Sequence, residues 1–269
     1  MEGKLSHRPS LVRQSASQKW VKWYQLGVGK VMFFRKAVSF LMVLAITSLF
    51  ALPASAKIHN GQKDRVIAPL NLAILIQDDL VSRVGNEINV TKEFIRSLPS
   101  GSRVMVGYIT TGTLQVRQPF TNNLQEAAAS LRIPASTTAR SPYNPYVELI
   151  EALKKFDSSW KGANAVLLIS DGLDVSRGFD TTSAGRTLDL DRAVNEANKR
   201  NVAVYSFYAP SVGLTSHSQL AMSYGQSSLN RLASDTGGKA FFQGNSFVTF
   251  DSYFERLRQT LNEQYARAS

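Results

Sequence analysis

Two aspartates far apart along the chain carry the most specific chemistry this sequence offers. The apolar run Leu70 to Ile76 ends in Gln77-Asp78-Asp79, and the run Ala163 to Ile169 ends in Ser170-Asp171-Gly172. An unbroken apolar run is how a strand buried on both faces reads, so Asp78 and Asp171 each stand at a strand carboxyl end. In an open α/β sheet that edge, near the point where strand order reverses, is where ligands bind. Two carboxylates and nearby hydroxyls brought together there form a hard-oxygen set suited to Mg²⁺, which takes six oxygen ligands and keeps some as water. The structural alternative is that each aspartate caps the following helix or tightens a turn.

The elements that must position these residues follow from periodicity. Ile88, Phe94, Ile95 and Leu98 recur at helical spacing after the first strand, until Pro99-Ser100-Gly101-Ser102 breaks the pattern. Arg103 to Thr110 then reads as a second strand, and Leu114 to Phe120, after Thr111-Gly112-Thr113, as a third one antiparallel to it. Helical signals resume at Asn123 to Leu131 and, beyond a polar loop from Pro134 to Pro145, at Tyr146, Leu149, Ile150 and Leu153. The strand at Ala163 to Ile169 follows. Leu190, Val194 and Ala197 mark a helix, Val202 to Tyr208 a strand, and Leu229 to Ala233 a helix closed by Gly237-Gly238. Ala240 to Phe242 is a short strand, and Phe250, Phe254, Leu257, Leu261 and Tyr265 give a long amphipathic helix. Alternation of strands and helices predicts a doubly wound, mainly parallel six-stranded sheet with helices on both faces, in one domain over residues 70–269.

Three stretches together resemble a von Willebrand factor type A domain, most closely its bacterial exported subfamily first described from acidobacteria. They are Leu72-Ala73-Ile74-Leu75-Ile76-Gln77-Asp78-Asp79-Leu80-Val81-Ser82, Val166 to Gly172, and Leu229-x-x-Leu232-Ala233-x-Asp235-Thr236-Gly237-Gly238-x-Ala240-Phe241. The resemblance runs from about Asn71 to Tyr265. It implies a metal-ion-dependent adhesion site with Asp-x-Ser-x-Ser after the first strand, a middle-loop threonine and an aspartate after the fourth strand. Carried over, Asp78 takes the first position, Leu80 stands where the first serine belongs, Ser82 takes the second, and Asp171 matches the last aspartate. The middle-loop position falls near Ser141 to Tyr143, which makes Ser141 a weaker candidate, and Asp79 is the spare carboxylate that could replace the missing serine oxygen. A leucine donates nothing to a cation, so the motif is degenerate. The resemblance implies Mg²⁺, or Mn²⁺ or Ca²⁺, completed by an acidic side chain of a protein partner. The long polar loop after Asp171, with Asp174, Arg177 and Asp180, is the expected contact surface.

Enzymatic readings fare worse. A haloacid dehalogenase-type phosphotransferase needs Asp-x-Asp-x-Thr, and Leu80 occupies the second carboxylate's place. No Gly-x-Ser-x-Gly elbow exists, and Gly27-Val28-Gly29-Lys30 lacks the first glycine and the hydroxyl residue of a phosphate loop. The expectation is a binding protein rather than an enzyme, with a metal-free scaffold in an envelope assembly as the alternative and a hydrolase as the remote one.

Composition locates the chain. Its formal charge of +11 is concentrated at the front: residues 1–56 hold 8 Lys or Arg against one acid, leaving 23 against 19, about +4, for the rest. That balance, without an arginine-rich helix or a basic aromatic stripe, argues against a nucleic-acid partner. There is no cysteine, so thiolate chemistry and disulfides are excluded. Arg35-Lys36, the apolar run 37–52 and Pro53-Ala54-Ser55-Ala56 form the basic, apolar and small-residue parts of a secretory signal cleaved after Ala56. Counting from Met32 gives a signal of usual length, which suggests a start there, with residues 57–69 as a linker. The mature protein is then secreted or periplasmic; an uncleaved segment would instead anchor it to the membrane by residues 37–54.

Overall fold

The computed structural model describes residues 68–142, 144–160, 162–179, 187–242 and 249–268. The export segment 1–56, the Met32 start, most of the linker, Tyr143 and Asp180 lie outside the described residues. Strands β1 (Leu70–Gln77), β2 (Arg103–Thr110), β3 (Thr113–Thr121), β4 (Ala163–Ser170), β5 (Val202–Tyr208) and β6 (Ala240–Phe241) form one sheet in the order β3-β2-β1-β4-β5-β6. Neighbours run parallel except β3, which turns back on β2 through Gly112 at φ 67°. Strand order reverses between β1 and β4, the two strands that end on the aspartates.

Period-2 alternation explains the layers. Leu70, Leu72, Ile74 and Ile76 of β1 enter a core with helices α1 (Val84–Arg96), α2 (Leu124–Ala129) and α6 (Phe250–Ala268). Ala73 and Leu75 point to the opposite face, under α3 (Pro145–Leu153), α4 (Leu188–Lys199) and α5 (Gln219–Asp235). A sheet covered on both sides leaves its central strands no solvated face, which is why β1 is buried throughout. Phe207 of β5 sits at the centre of the first core, with the rings of Phe241, Phe250, Tyr253 and Phe254 at centroid distances of 4.9–5.5 Å, all edge-on. Among the described residues no helix is long and apolar enough to cross a membrane.

Helix α5 starts ten residues before the expected Leu229. Its first half turns small residues, Ala221, Gly225 and Ser228, to the core and leaves Leu220 exposed, so the large apolar spacing begins late, while the Ser218 hydroxyl accepts from Ala221 N and fixes the true start. Its end is the Thr236-Gly237-Gly238 motif. Gly237 takes φ 76°, Gly238 N–H reaches back to the Ala233 carbonyl at 2.8 Å, and the Thr236 hydroxyl accepts from Val204 N on β5. Gly238 itself lies against β5, where an added Cβ would stand 2.0 Å from the Val204 carbonyl oxygen. Gly238→Ala is therefore expected to cost about 1–3 kcal/mol, read as a lower urea midpoint at unchanged m-value; a wild-type midpoint would refute the close approach.

Candidate functional site at the carboxyl edge of the sheet

The ends of β1 and β4 are joined by a side chain that sequence reasoning passed over. Gln77 closes β1, its amide oxygen accepting from the Ser170 hydroxyl at 2.5 Å and from Asp171 N at 3.2 Å, while its amide nitrogen donates to Asp79 at 2.7 Å. A polar residue ending an otherwise apolar strand was the available signal. Around this bridge lie Asp79, whose other oxygen accepts from the Ser141 hydroxyl, and Asp171, which accepts from Leu173 N at 3.1 Å and from the Thr215 hydroxyl at 3.0 Å. Thr215 follows β5 in a short 3-10 turn, Leu214–Ser216, and was likewise not predicted.

Asp78 does something else. Its backbone N–H continues the β1–β2 ladder to the Ile109 carbonyl at 2.9 Å, so the strand's alternation carries through it and sends its side chain to the face of Ile74 and Ile76. There Arg132, just beyond α2, grips both carboxylate oxygens at 2.6 and 2.8 Å, and Ala135 N adds a third bond at 2.9 Å. Arg132 is clamped in turn. Its guanidinium lies 4.0 Å from the Tyr108 ring centroid, and the Tyr108 hydroxyl donates to its carbonyl and accepts from its N–H. Fork-on-fork pairing of this kind fixes orientation as well as charge.

The expectation that Asp78, Ser82 and Asp171 converge is thereby corrected. The carboxylate that shares the crevice with Asp171 is Asp79, one residue further on, with Ser141 beside it as expected. Ser82 is exposed in the turn before α1, where its carbonyl accepts from Gly85 N. Leu80 is fully buried and pairs through its backbone with Ser211, so the loop after β1 is stitched to the loop after β5. Asp174 spends its carboxylate on the N–H and hydroxyl of Ser176, and Arg177 is exposed on the same loop.

Burial shapes the electrostatics. Desolvation, reinforced by the charge of Asp171, pushes the Asp79 carboxyl up to about 6, against the pull of its bonds from Ser141 and Gln77. Burial raises Asp171 too, opposed by the hydroxyl and N–H groups around it. The turn that carries Asp171 is held without slack. Gly172 adopts φ 70° and packs on α5 at Gly225, where an added Cβ would stand 1.9 Å from the Asp171 carbonyl oxygen. Tyr146 of α3 closes the other side by donating to the Gly172 carbonyl at 2.6 Å.

No protein-family model matches the chain, and no curated protein sequence does. Solved structures do. An aerotolerance-related membrane protein of Bacteroides fragilis, carrying multiple mutations to serine, superposes on 72% of this chain and 99% of its own with a TM-score of 0.51 at 11% identity. BatB of Bacteroides thetaiotaomicron covers 74% of this chain and 99% of its own with a TM-score of 0.50 at 14% identity. The fold is von Willebrand factor A-like.

The sequence resemblance carries the expectation of a divalent ion at this edge, and the residues present do not fit the set that it suggested. Asp78 already faces a cation, with both oxygens engaged, and Ser82 is turned out to solvent. Among the described residues no three His, Asp or Glu side chains cluster as metal ligands. What remains is a closed network of two carboxylates satisfied by protein donors.

Two outcomes follow. Removing the guanidinium strands a buried carboxylate, so Arg132→Met is expected to cost about 2–4 kcal/mol, the lower part of the usual range because water reaches the arginine. Adding Asp78→Asn should restore much of it; independent, additive losses in urea melts would disprove the pairing. For Asp79, a folded value of about 6 against 3.8 means that the folded chain holds a proton the unfolded chain has released. Its stabilising contribution is full below pH 3.8 and is lost as pH rises through about 6, by up to about 3 kcal/mol. Asp79→Asn, whose amide can still pair with Ser141 and Gln77, should flatten that slope and be the more stable protein at pH 8. An unchanged pH profile would contradict the assignment.

Proposed function

We propose that the mature chain is a protein-recognition domain of the bacterial cell envelope, which docks its partner on the carboxyl-edge rim of the sheet and needs no metal to do so. One observation carries this reading. Among the described residues the large apolar side chains left exposed are Ile133, Val147, Leu188, Leu214 and Leu220, at 44–61% exposure, and they belong to one rim. Val147, Leu188 and Leu220 stand in the first turns of α3, α4 and α5. Each of these helices precedes a parallel strand and so begins at the carboxyl edge. Leu214 opens the 3-10 turn in the loop that leaves the carboxyl end of β5, and Ile133 neighbours Arg132 at the Asp78 pair. Apolar groups gathered on one border around a polar floor are how a protein-binding patch looks. Asp174 and Arg177 lie on the same border and supply polar contacts at its margin.

The reading favours binding over catalysis: Asp79 and Asp171 are enclosed, and every oxygen of the pair accepts from a protein donor. Arg132 supplies to Asp78 the positive charge that a bound ion supplies in a metal-dependent site. The basic, apolar and small-residue series from Arg35 to Ala56, expected to act as a secretory signal, supports an envelope or extracellular location, and the first Bacteroides neighbour is itself a membrane protein. A second reading, adhesion through Mg²⁺ or Mn²⁺ held by Asp79, Ser141 and Asp171, draws on the adjacency of the two raised carboxyls.

Titration calorimetry with Mn²⁺ or Mg²⁺ separates the two, and a flat trace is expected. Heat that disappears in Asp171→Ala would install the metal reading instead. In pull-downs from envelope extract, the Leu188→Lys/Leu220→Lys variant should lose the bound protein while chelator leaves wild-type capture intact. Capture that survives the double substitution would move the partner to another face.

A further inference from the structure

At the opposite, amino-terminal edge of the sheet a cleft lies against the β2–β3 pair. Strand β3 is bulged twice against β2: Val104 pairs with Thr121 and Val106 with Gln118, so Pro119 and Phe120 together oppose Met105 alone. Next to this irregularity lies an open cleft of about 450 Å³, lined by Arg103, Met105, Val116, Pro119, Phe120 and Lys155. Its walls are apolar apart from the two cations. The volume is that of a single small-molecule site.

The cation at β2 is unusually prepared. The Arg103 guanidinium lies near two rings, 5.6 Å from the Phe120 centroid and 5.7 Å from that of Trp160. Phe120 is itself held edge-on by Phe156 at 4.9 Å. Rings at these distances attract the guanidinium but satisfy none of its five N–H donors. Among the described residues Arg103 makes no ion pair. The exposed carboxylate of Asp157, which senses its charge, is turned instead to Ser159 N at 2.8 Å. Lys155, across the cleft at the end of α3, is loosely matched by Glu151 at 3.7 Å, with both side chains well exposed.

We propose that this cleft binds a small amphipathic carboxylate, its apolar chain lying along Met105, Val116 and Phe120 and its head accepting from the Arg103 fork, with Lys155 adding charge. Complementarity selects this occupant: an apolar trough alone would take a neutral molecule, whereas a guanidinium with no carboxylate partner among the described residues rewards a planar two-oxygen anion. The site is separate from the carboxyl-edge rim, so its fate is independent of the function proposed above.

Decanoate and decanamide serve as probes, titrated by calorimetry below the micellar range into the full-length chain. Decanoate is expected to saturate at one site and decanamide to bind at least tenfold more weakly. Arg103→Gln should remove that preference. Val116→Phe, which fills the cleft without touching a charge, should weaken decanoate at least tenfold while leaving the melting temperature near wild type, and it decides the matter if Arg103→Gln folds poorly. Glu151→Gln, by releasing Lys155, should tighten decanoate two- to threefold. No saturable binding, equal affinity for acid and amide, or binding indifferent to Val116→Phe would each overturn the proposal.

Discussion

A carboxylate with no access to water must find a cation or give up its charge, and the arrangement of this domain's carboxyl edge follows from how Asp78 meets that demand. Arg132 reaches it from beyond α2 and is itself held by the ring and hydroxyl of Tyr108. The segment after α2 is thereby pinned to β1. Ala135 N bonds the same carboxylate and Ser136 N the Asp78 carbonyl, so the path towards Ser141 is set within a few residues. Ser141 then meets Asp79, and Gln77 ties Asp79 to the turn of Asp171. Charge neutralisation at one residue thus orders the loops that frame the whole edge. Removing one partner of such a pair hurts far more than the pair's net worth, which makes the clamp a point of rigidity rather than a large source of stability.

Most of the fold was legible because its central strands are buried on both faces. Such strands read as continuous apolar runs, and Leu70 to Ile76, Ala163 to Ile169 and Val202 to Tyr208 all became strands. The turn at Thr111-Gly112-Thr113 correctly announced an antiparallel β3. The start of α5 was not legible, since the residues its first half buries, Ala221, Gly225 and Ser228, are small and carry no large apolar period. Gly225 is there for a contact with Asp171 that involves backbone atoms far away in the chain.

The site was legible in outline and misread by one residue. Both aspartate clusters arrive at the β1–β4 border, where the strand order reverses, as expected for this class of sheet. Which of Asp78 and Asp79 turns towards Asp171 depends on how far the strand's alternation persists past Ile76, and periodicity alone does not say. Arg132 lies 54 positions from Asp78 and advertises nothing in its own neighbourhood. Thr215 is equally silent, a hydroxyl in a short turn whose role appears only when β5 lies next to β4. Resemblance supplied the edge and its acidic residues; only side-chain geometry distinguished an ion pair from a ligand.

The irregular path of β3 has a further consequence for the chain's behaviour at high concentration. An open sheet has two borders, each a template on which a second molecule could add a strand. One border here is a strand with two bulges and Pro119, which lacks an N–H, and the other, β6, is two residues long. Among the described residues neither presents a straight run of unpaired amides and carbonyls, so these borders resist edge-to-edge polymerisation in a protein that has no disulfide to hold it shut.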